Sequence, residues 1–377
     1  MIKNWLHHKW LKETMTMSEL LERYRQEVLL VSHLAIGTRN GYTSAIRCMH
    51  KMEISTKKVK DTDRGYLQSF FDGLSEGFYD LEGKYHKGFG KSRILAYSAV
   101  LQGSLEYAVL SLKILKSNPM QGVHLVSVRN EKTLFQRIED CKLLKHEEYL
   151  RIIDYLTKIH NPHVLPIQIS YYTGLRLGEV CALTWEDVHL EEQYLVVRRA
   201  VVLNCESEKN RLELTSPKRD KVRYVEFGKV LKDILVQAKL QQELYKNHQQ
   251  DTYQQNYYVT LRENNTTHFV LQSGKITNLT TEKELHLVCV KQDGAFINRR
   301  SLGCLCVRLN KHVEGLEDFH FHTLRHTYAS NLLKYGANMS EVKELLGHED
   351  IRTTMNVYVH NYRKDLVERV KVLDALR

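Results

Sequence analysis

HVLPIQISYYTGLRLGEVCALTWEDV, residues 163–188, decides how the chain is read. Its first half is apolar on nearly every side up to Tyr172, as a helix buried in a core is. Thr173-Gly174 breaks the period, and a second, shorter helical stretch follows. Arg176 stands just after the break among apolar neighbours, where a charge is costly unless an anion meets it. Beyond this segment the period changes to two. YLVVRRAVV (194–202), RLELTSP (211–217) and KVRYVEF (221–227) predict three strands, the last two a hairpin around Pro217-Asp220. The region is therefore mixed, helical with a small antiparallel sheet.

Working outward, LLKHEEYLRIIDYLTKI (143–159) opens this half as an amphipathic helix, and KVLKDILVQAKLQQELYKN (229–247) predicts a polar one. Residues 248–288, rich in Gln, Tyr and Asn, read as an insertion with one strand pair. Helices return from SLGCLCVRLNKHV (301–313) onward, with Cys304 and Cys306 expected as buried small hydrophobes. The first third is helical throughout. MSELLERYRQEVLL starts with Ser18 as cap, DTDRGYLQSFFDGL with Asp61 or Asp63, and GTRNGYTSAIRCMHKM after Gly37-Thr38. KSRILAYSAVLQGSLEYAVLSLKIL is the longest, and KSNPMQG stops it at Asn118-Pro119. The organisation expected is an N-terminal extension (1–16), a helical domain (17–125), a linker (126–140) and a larger domain (141–377).

A length of 377 residues exceeds what one compact core usually holds, which agrees with two domains. Lys and Arg outnumber Asp and Glu by 55 to 45, a surplus of +10 that suits a polyanionic partner. Residues 1–130 hold 19 basic and 12 acidic side chains, so +7 of it lies in the first third. Seven scattered cysteines without a CxxC pair fit reduced thiols and a cytoplasmic location rather than a disulfide framework. No apolar run approaches the ~20 residues of a membrane span, so no membrane partner is expected.

HFHTLRHTYASNLL (320–333) packs His320, His322, Arg325 and His326 into seven positions. A metal site, a phosphate site and a polar helix end compete to explain it. On a helix, His322 and Arg325 lie at i,i+3, with Leu324, Tyr328 and Leu332 on the other side. A zinc hydrolase helix would carry Glu after the first His, yet Thr323 is there. A polar cap explains one histidine but not the arginine. LLGHEDIRTTMNVYVH (345–360) adds His348 after Gly347, and Tyr358 ten residues later. Two arginines, two histidines and a tyrosine make poor ion pairs for one another. They suit a phosphodiester.

TGLRLGEVCALTW, HTLRHTYASNLL and LGHEDIRTTMNVYVH resemble the three signature boxes of the tyrosine recombinase (phage integrase) family, in that family's order. TSPKRDKVRYVEF resembles its β-hairpin lysine element, with Lys218 five residues before Arg223. The N-terminal helices resemble the family's core-type DNA-binding domain, and the long stretch between Lys218 and His322 is similar to integrases of conjugative transposons and phages. The implied fold is a helical DNA-binding domain plus a mixed α+β catalytic domain, mainly α overall.

The resemblance implies an enzyme that cuts and rejoins double-stranded DNA through a covalent 3′-phosphotyrosine, for integration and excision of a mobile element. Arg176 and Arg325 would offer forked donors to the non-bridging phosphate oxygens. Tyr358 would attack, His322 would take its proton, Lys218 would protonate the leaving 5′-oxygen, and His348 would donate to the phosphate. His326 and Glu179 read as structural or orienting. Transesterification conserves the energy of the cut bond, so no cofactor, ATP or metal is implied. A homo-tetramer on paired DNA sites and an accessory excision factor are further implied partners. A topoisomerase-like activity on one duplex, or a sequence-specific DNA-binding protein without strand transfer, remain the alternatives. In the tail, 362–377, Leu366, Val370 and Leu373 form an apolar stripe that is expected to dock within the subunit or on a neighbour.

Overall fold

The computed structural model describes residues 14–125, 143–205, 211–216, 222–263, 266–278 and 281–347. The chain divides into two compact units, one built mainly from residues up to 131 and the other from residues beyond it.

In the first unit α1 (Met17–Tyr24) is capped by Thr16 rather than Ser18. Thr16 Oγ1 accepts from the Glu19 N–H while the Glu19 carboxylate accepts from the Thr16 N–H, a reciprocal box that satisfies two orphan donors. Ser18 instead bonds His50 at 2.8 Å. A π-turn (Arg25–Leu29) continues α1, and α2 (Ile36–Met49) and α3 (Arg64–Glu76) follow. Asp63 caps α3, its Oδ1 accepting from the Tyr66 N–H at 2.8 Å. A short antiparallel ribbon, β1 (Gly77–Tyr79) with β2 (Tyr85–Lys87), leads into α4 (Lys91–Leu110). This longest helix of the unit buries Ile94, Tyr97, Val100, Leu101 and Leu105, forming a core with Leu20, Ile46, Leu67 and Phe71. That core needs no sheet because four amphipathic faces cover one another.

The second unit opens with α5 (His146–Lys158), then α6 (Val164–Thr173) and α7 (Leu177–Ala182). The buried-helix, break, short-helix reading of 163–188 is what the structure shows. Gly174 ends α6 in the left-handed region (φ 65°), and its N–H donates to the Ser170 carbonyl at 2.8 Å. A Cβ there would lie 2.5 Å from the Tyr328 ring and 2.8 Å from Leu346. Gly174→Ala is expected to cost on the order of 3 kcal/mol from backbone strain and overpacking. Urea denaturation measures it, and a loss below about 1 kcal/mol would show that the junction yields.

The strands depart from expectation in their partners. YLVVRRAVV is two strands, β4 (Tyr194–Val197) and β5 (Ala200–Asn204), broken where Arg198 and Arg199 turn to the buried Asp187. β4 pairs with β3 (Val188–His189) and β7 (Arg223–Glu226) in a three-stranded antiparallel sheet, with Leu195 opposite Val225. β6 (Arg211–Thr215) belongs to a different, five-stranded sheet, where it lies between β5 and a strand of the Gln- and Tyr-rich insertion. So β6 and β7 do not form the hairpin expected around 217–220. β6 is buried at its three central positions and needs a strand on either side, whereas β7 sends only Val225 fully into the core. The Gln- and Tyr-rich insertion supplies those partners: β8 (Gln255–Glu263), β9 (Thr266–Gly274) and β10 (Glu282–Glu284), after α8 (Lys229–Gln249).

Helices then return as α9 (Arg299–His312), α10 (Phe321–Lys334) and α11 (Met339–Leu346). On α9, Cys306 is buried but Cys304 is exposed, because an i,i+2 pair falls on different helix faces. α10 packs against α6, bringing Leu324 and Tyr328 onto the α6–α7 junction. Among the described residues no helix is long and apolar enough to cross a membrane.

Candidate active site

The four basic side chains of 320–326 divide among three surroundings, with His322 and His326 packed ring against ring. His320 is the polar cap of α10, its Nδ1 accepting from the Thr323 N–H at 3.1 Å. Arg325 is 1% exposed. Its Nη1 donates to the Gly174 carbonyl at 2.8 Å and its Nη2 to the Leu346 carbonyl at 2.6 Å. Its Nε is buried without a hydrogen-bond partner. Each Nη keeps a second hydrogen, so three of the five guanidinium N–H groups remain for an anion. Burial, and next the charge of Arg176, bring its pKa down to about 9, which leaves it charged at neutral pH.

His322 lies exposed on α10, its ring 4.5 Å edge-on from that of His326. Desolvation by the protein around the ring, then the charges of Arg325, His320 and Arg176, lower its pKa to about 4. His326 is pushed to about 4 as well, by burial first and then by His322, His320 and Arg325. Both rings are therefore neutral at pH 7, and a neutral imidazole has a free nitrogen to accept a proton. Among the described residues no group of three His, Cys, Asp or Glu is arranged to hold a metal ion.

Arg176 precedes α7, and its side chain keeps 33% exposure. Its Nη1 donates to Glu179 Oε1 at 2.9 Å, its backbone N–H to Glu179 Oε2 at 2.8 Å, and its Nη2 to the Gly347 carbonyl at 3.4 Å. Glu179 is 4% exposed and also receives Arg223, Nη1 to Oε1 at 3.0 Å and Nη2 to Oε2 at 2.7 Å. Burial raises the Glu179 pKa, but the hydrogen bond and charge of Arg223, then Arg176, outweigh it and hold the carboxyl at about 2. Its contribution to stability is complete above the ordinary carboxylate range and disappears as pH falls toward 2.

The end of α11 ties these groups together. Three consecutive carbonyls, of Leu345, Leu346 and Gly347, accept from Arg223 Nε (3.1 Å), Arg325 Nη2 and Arg176 Nη2 in turn. A helix C-terminus offers orphan carbonyls and the negative end of the dipole, which is why three cations converge there. Gly347 makes the turn with φ 63°, and a Cβ on it would press on Arg223 at 3.3 Å. The structure thus brings Arg176 and Arg325 together at the turn that leads into His348. Lys218, His348 and Tyr358 lie outside the described residues, as do the linker and the tail. Arg223 is the group the sequence reading passed over. Its signal was an arginine at i,i+2 from Val225, on the inward face of a strand.

Arg176 and Arg223 gather round one buried carboxylate, with Arg325 on the same helix end, an excess of guanidinium donors that suits an oxyanion. The model of the phage integrase family matches residues 142–365, more than half of the chain, and the chain belongs to that family, the tyrosine recombinases, which cleave and religate DNA in site-specific recombination. It is similar to tyrosine recombinase XerC of Bacillus subtilis, 25% identical over 295 residues, covering 77% of this chain and 78% of the relative. The integrase of Staphylococcus phage L54a is 22% identical over 377 residues, covering 95% and 93%. Among solved structures, the Tn1549 transposon integrase in complex with transposon right end DNA shares the fold. Its TM-score is 0.65 at 18% identity, covering 95% of this chain and 100% of that one. A lambda integrase tetramer bound to a Holliday junction matches with TM-score 0.54 at 15% identity, covering 92% and 78%.

Proposed function

We propose that the chain is the integrase of a mobile element and that residues 176–358 carry out its strand transfer on double-stranded DNA. The observation that carries this is the convergence of Arg176 and Arg325 on the α11 C-terminus, one residue before His348. In the reaction the Tyr358 phenol oxygen attacks phosphorus, a 3′-phosphotyrosine bond forms, and the bond to the 5′-oxygen breaks. His322 takes the phenol proton, and Lys218 gives one to the departing 5′-oxygen. Arg176 and Arg325 bind the non-bridging oxygens, on which negative charge grows during attack, and His348 donates to one of them. Attack by the freed 5′-hydroxyl of a partner strand reverses the step and restores the tyrosine. The basic helical unit and the catalytic unit hold the duplex mainly by its phosphates, acting in the cytoplasm as a tetramer on paired sites with an accessory factor for excision.

The test is capture of a nicked duplex by the full chain in buffer containing EDTA, read as a covalent adduct in a denaturing gel. Adduct formation is expected, because guanidinium groups supply the charge that metal ions supply elsewhere. Binding without adduct would leave a DNA-binding protein of this fold, and an adduct that requires added zinc or magnesium would overturn the assigned roles.

The histidine assignment carries its own pH signature. A base must be deprotonated, and desolvation together with the neighbouring cations holds His322 at about 4, so cleavage is expected to hold constant from about pH 8 down to about pH 5. It then falls in acid as the ring charges. His322→Ala should cleave slowly at all pH values and lack that acid limb. Persistence of the limb in the variant would assign the titrating group elsewhere.

A further inference from the structure

Arg223 takes no part in the steps above, yet it makes the closest ion pair of the cluster. Its two Nη atoms engage both oxygens of Glu179, a fork-to-fork geometry that is among the strongest for such pairs. Its Nε simultaneously holds the Leu345 carbonyl, which leaves its side chain little freedom. The Glu179 carboxylate is buried, so its pull on any cation is only weakly screened. After Arg223, the cation next to it is Arg176, attached through Nη1 and still partly exposed.

We propose that Arg223 is a positioning residue: it satisfies the Glu179 carboxylate, so that the Arg176 guanidinium keeps its outer edge turned to the scissile phosphate instead of folding onto Glu179. The inference rests on the function proposed above and deepens it. It explains why an acidic group can stand inside an anion site. With Arg223 in place, Glu179 fixes Arg176 by one Nη and its backbone N–H, and among the described residues the other Nη reaches only the Gly347 carbonyl, at a length of 3.4 Å that an arriving phosphate oxygen displaces readily. Without Arg223, the carboxylate recruits both Nη atoms of Arg176, and the phosphate loses a donor. The balance of charge runs the same way. Arg176, Arg223 and Arg325 against Glu179 leave a surplus that matches the negative charge built up by in-line attack.

The probe is obtained first: a random-sequence duplex library with a nick is exposed to the unaltered full chain, and the duplexes recovered as covalent adduct are sequenced and remade. Failure to capture any duplex overturns the proposed function, and this inference with it. With the probe in hand, Arg223→Gln is expected to slow single-turnover cleavage by about 10- to 100-fold, the scale of one weakened transition-state donor, while Kd changes by less than about threefold. The second substitution decides between positioning and mere support of the fold. Glu179→Gln removes the pull on Arg176, so the double variant Arg223→Gln, Glu179→Gln should regain at least about tenfold of the lost rate. A structural role predicts the reverse, since the second change removes a further hydrogen-bonded group. A double variant no faster than Arg223→Gln, or a single variant that cleaves normally, overturns the proposal. Should Arg223→Gln fail to fold, Arg223→Lys with and without Glu179→Gln is read by the same criterion.

Discussion

Replacing Tyr358 by phenylalanine is expected to abolish the covalent protein–DNA adduct while leaving DNA affinity within about twofold of the unaltered chain. The substitution removes one oxygen and almost no volume, so only an interaction made by that oxygen in the reaction is lost. Affinity is expected to come from many phosphate contacts spread over a basic surface, to which one phenol adds little. The measurement pairs a denaturing gel for adduct with a binding titration at fixed salt. An adduct that persists would move the nucleophile, and Tyr362 would be the next phenol in the sequence to test. Loss of binding along with the adduct would instead make Tyr358 part of the fold or of the DNA contact.

The sequence was legible where its signal is local. Thr173-Gly174 announced the break between α6 and α7 because only a residue tolerant of positive φ fits where Tyr328 and Leu346 crowd the backbone. Arg176 announced itself as a charge without local reason among apolar neighbours. The cap of α3 was readable only as Asp61 or Asp63, of which Asp63 fills it, and the cap of α1 fell two residues before the Ser18 expected. Strand pairing was not legible. Glu213 on β6 faces Val270 on β9, far along the chain, and nothing in RLELTSP distinguishes that partner from the nearer KVRYVEF. The same distance concealed Arg223, whose carboxylate partner lies 44 residues earlier. Alternation told that Arg223 shared a face with Val225, but only the fold told what waited there. The histidines show a third case. Spacing placed His322 and Arg325 on adjacent turns, but it could not show that the helix would bury one head and expose the other.

That burial shapes the second large effect. Arg325→Ala is expected to reduce single-turnover cleavage by ~10³-fold or more, because a forked, desolvated cation is removed from where phosphate charge grows. It is also expected to cost on the order of 3 kcal/mol of stability, since the Gly174 and Leu346 carbonyls lose their donor inside the protein. The two losses must be separated before the first is called catalytic. A domain of ordinary stability, about 5–15 kcal/mol, stays almost wholly folded after losing ~3 kcal/mol, so a thousandfold fall in rate cannot come from the unfolded fraction. Arg325→Lys sharpens the comparison. The ammonium keeps the charge but has no rigid fork, and it cannot reach the Gly174 and Leu346 carbonyls while also meeting two phosphate oxygens. Its stability should fall between the alanine variant and the unaltered chain, while its cleavage stays reduced by about 100-fold. Urea denaturation and cleavage rates on the same preparations measure both. A lysine variant that cleaves within about tenfold of the unaltered chain would mean that charge alone suffices. Arg325 would then act chiefly as the clasp between the ends of α6 and α11, holding Arg176 and His348 in reach of the same phosphate.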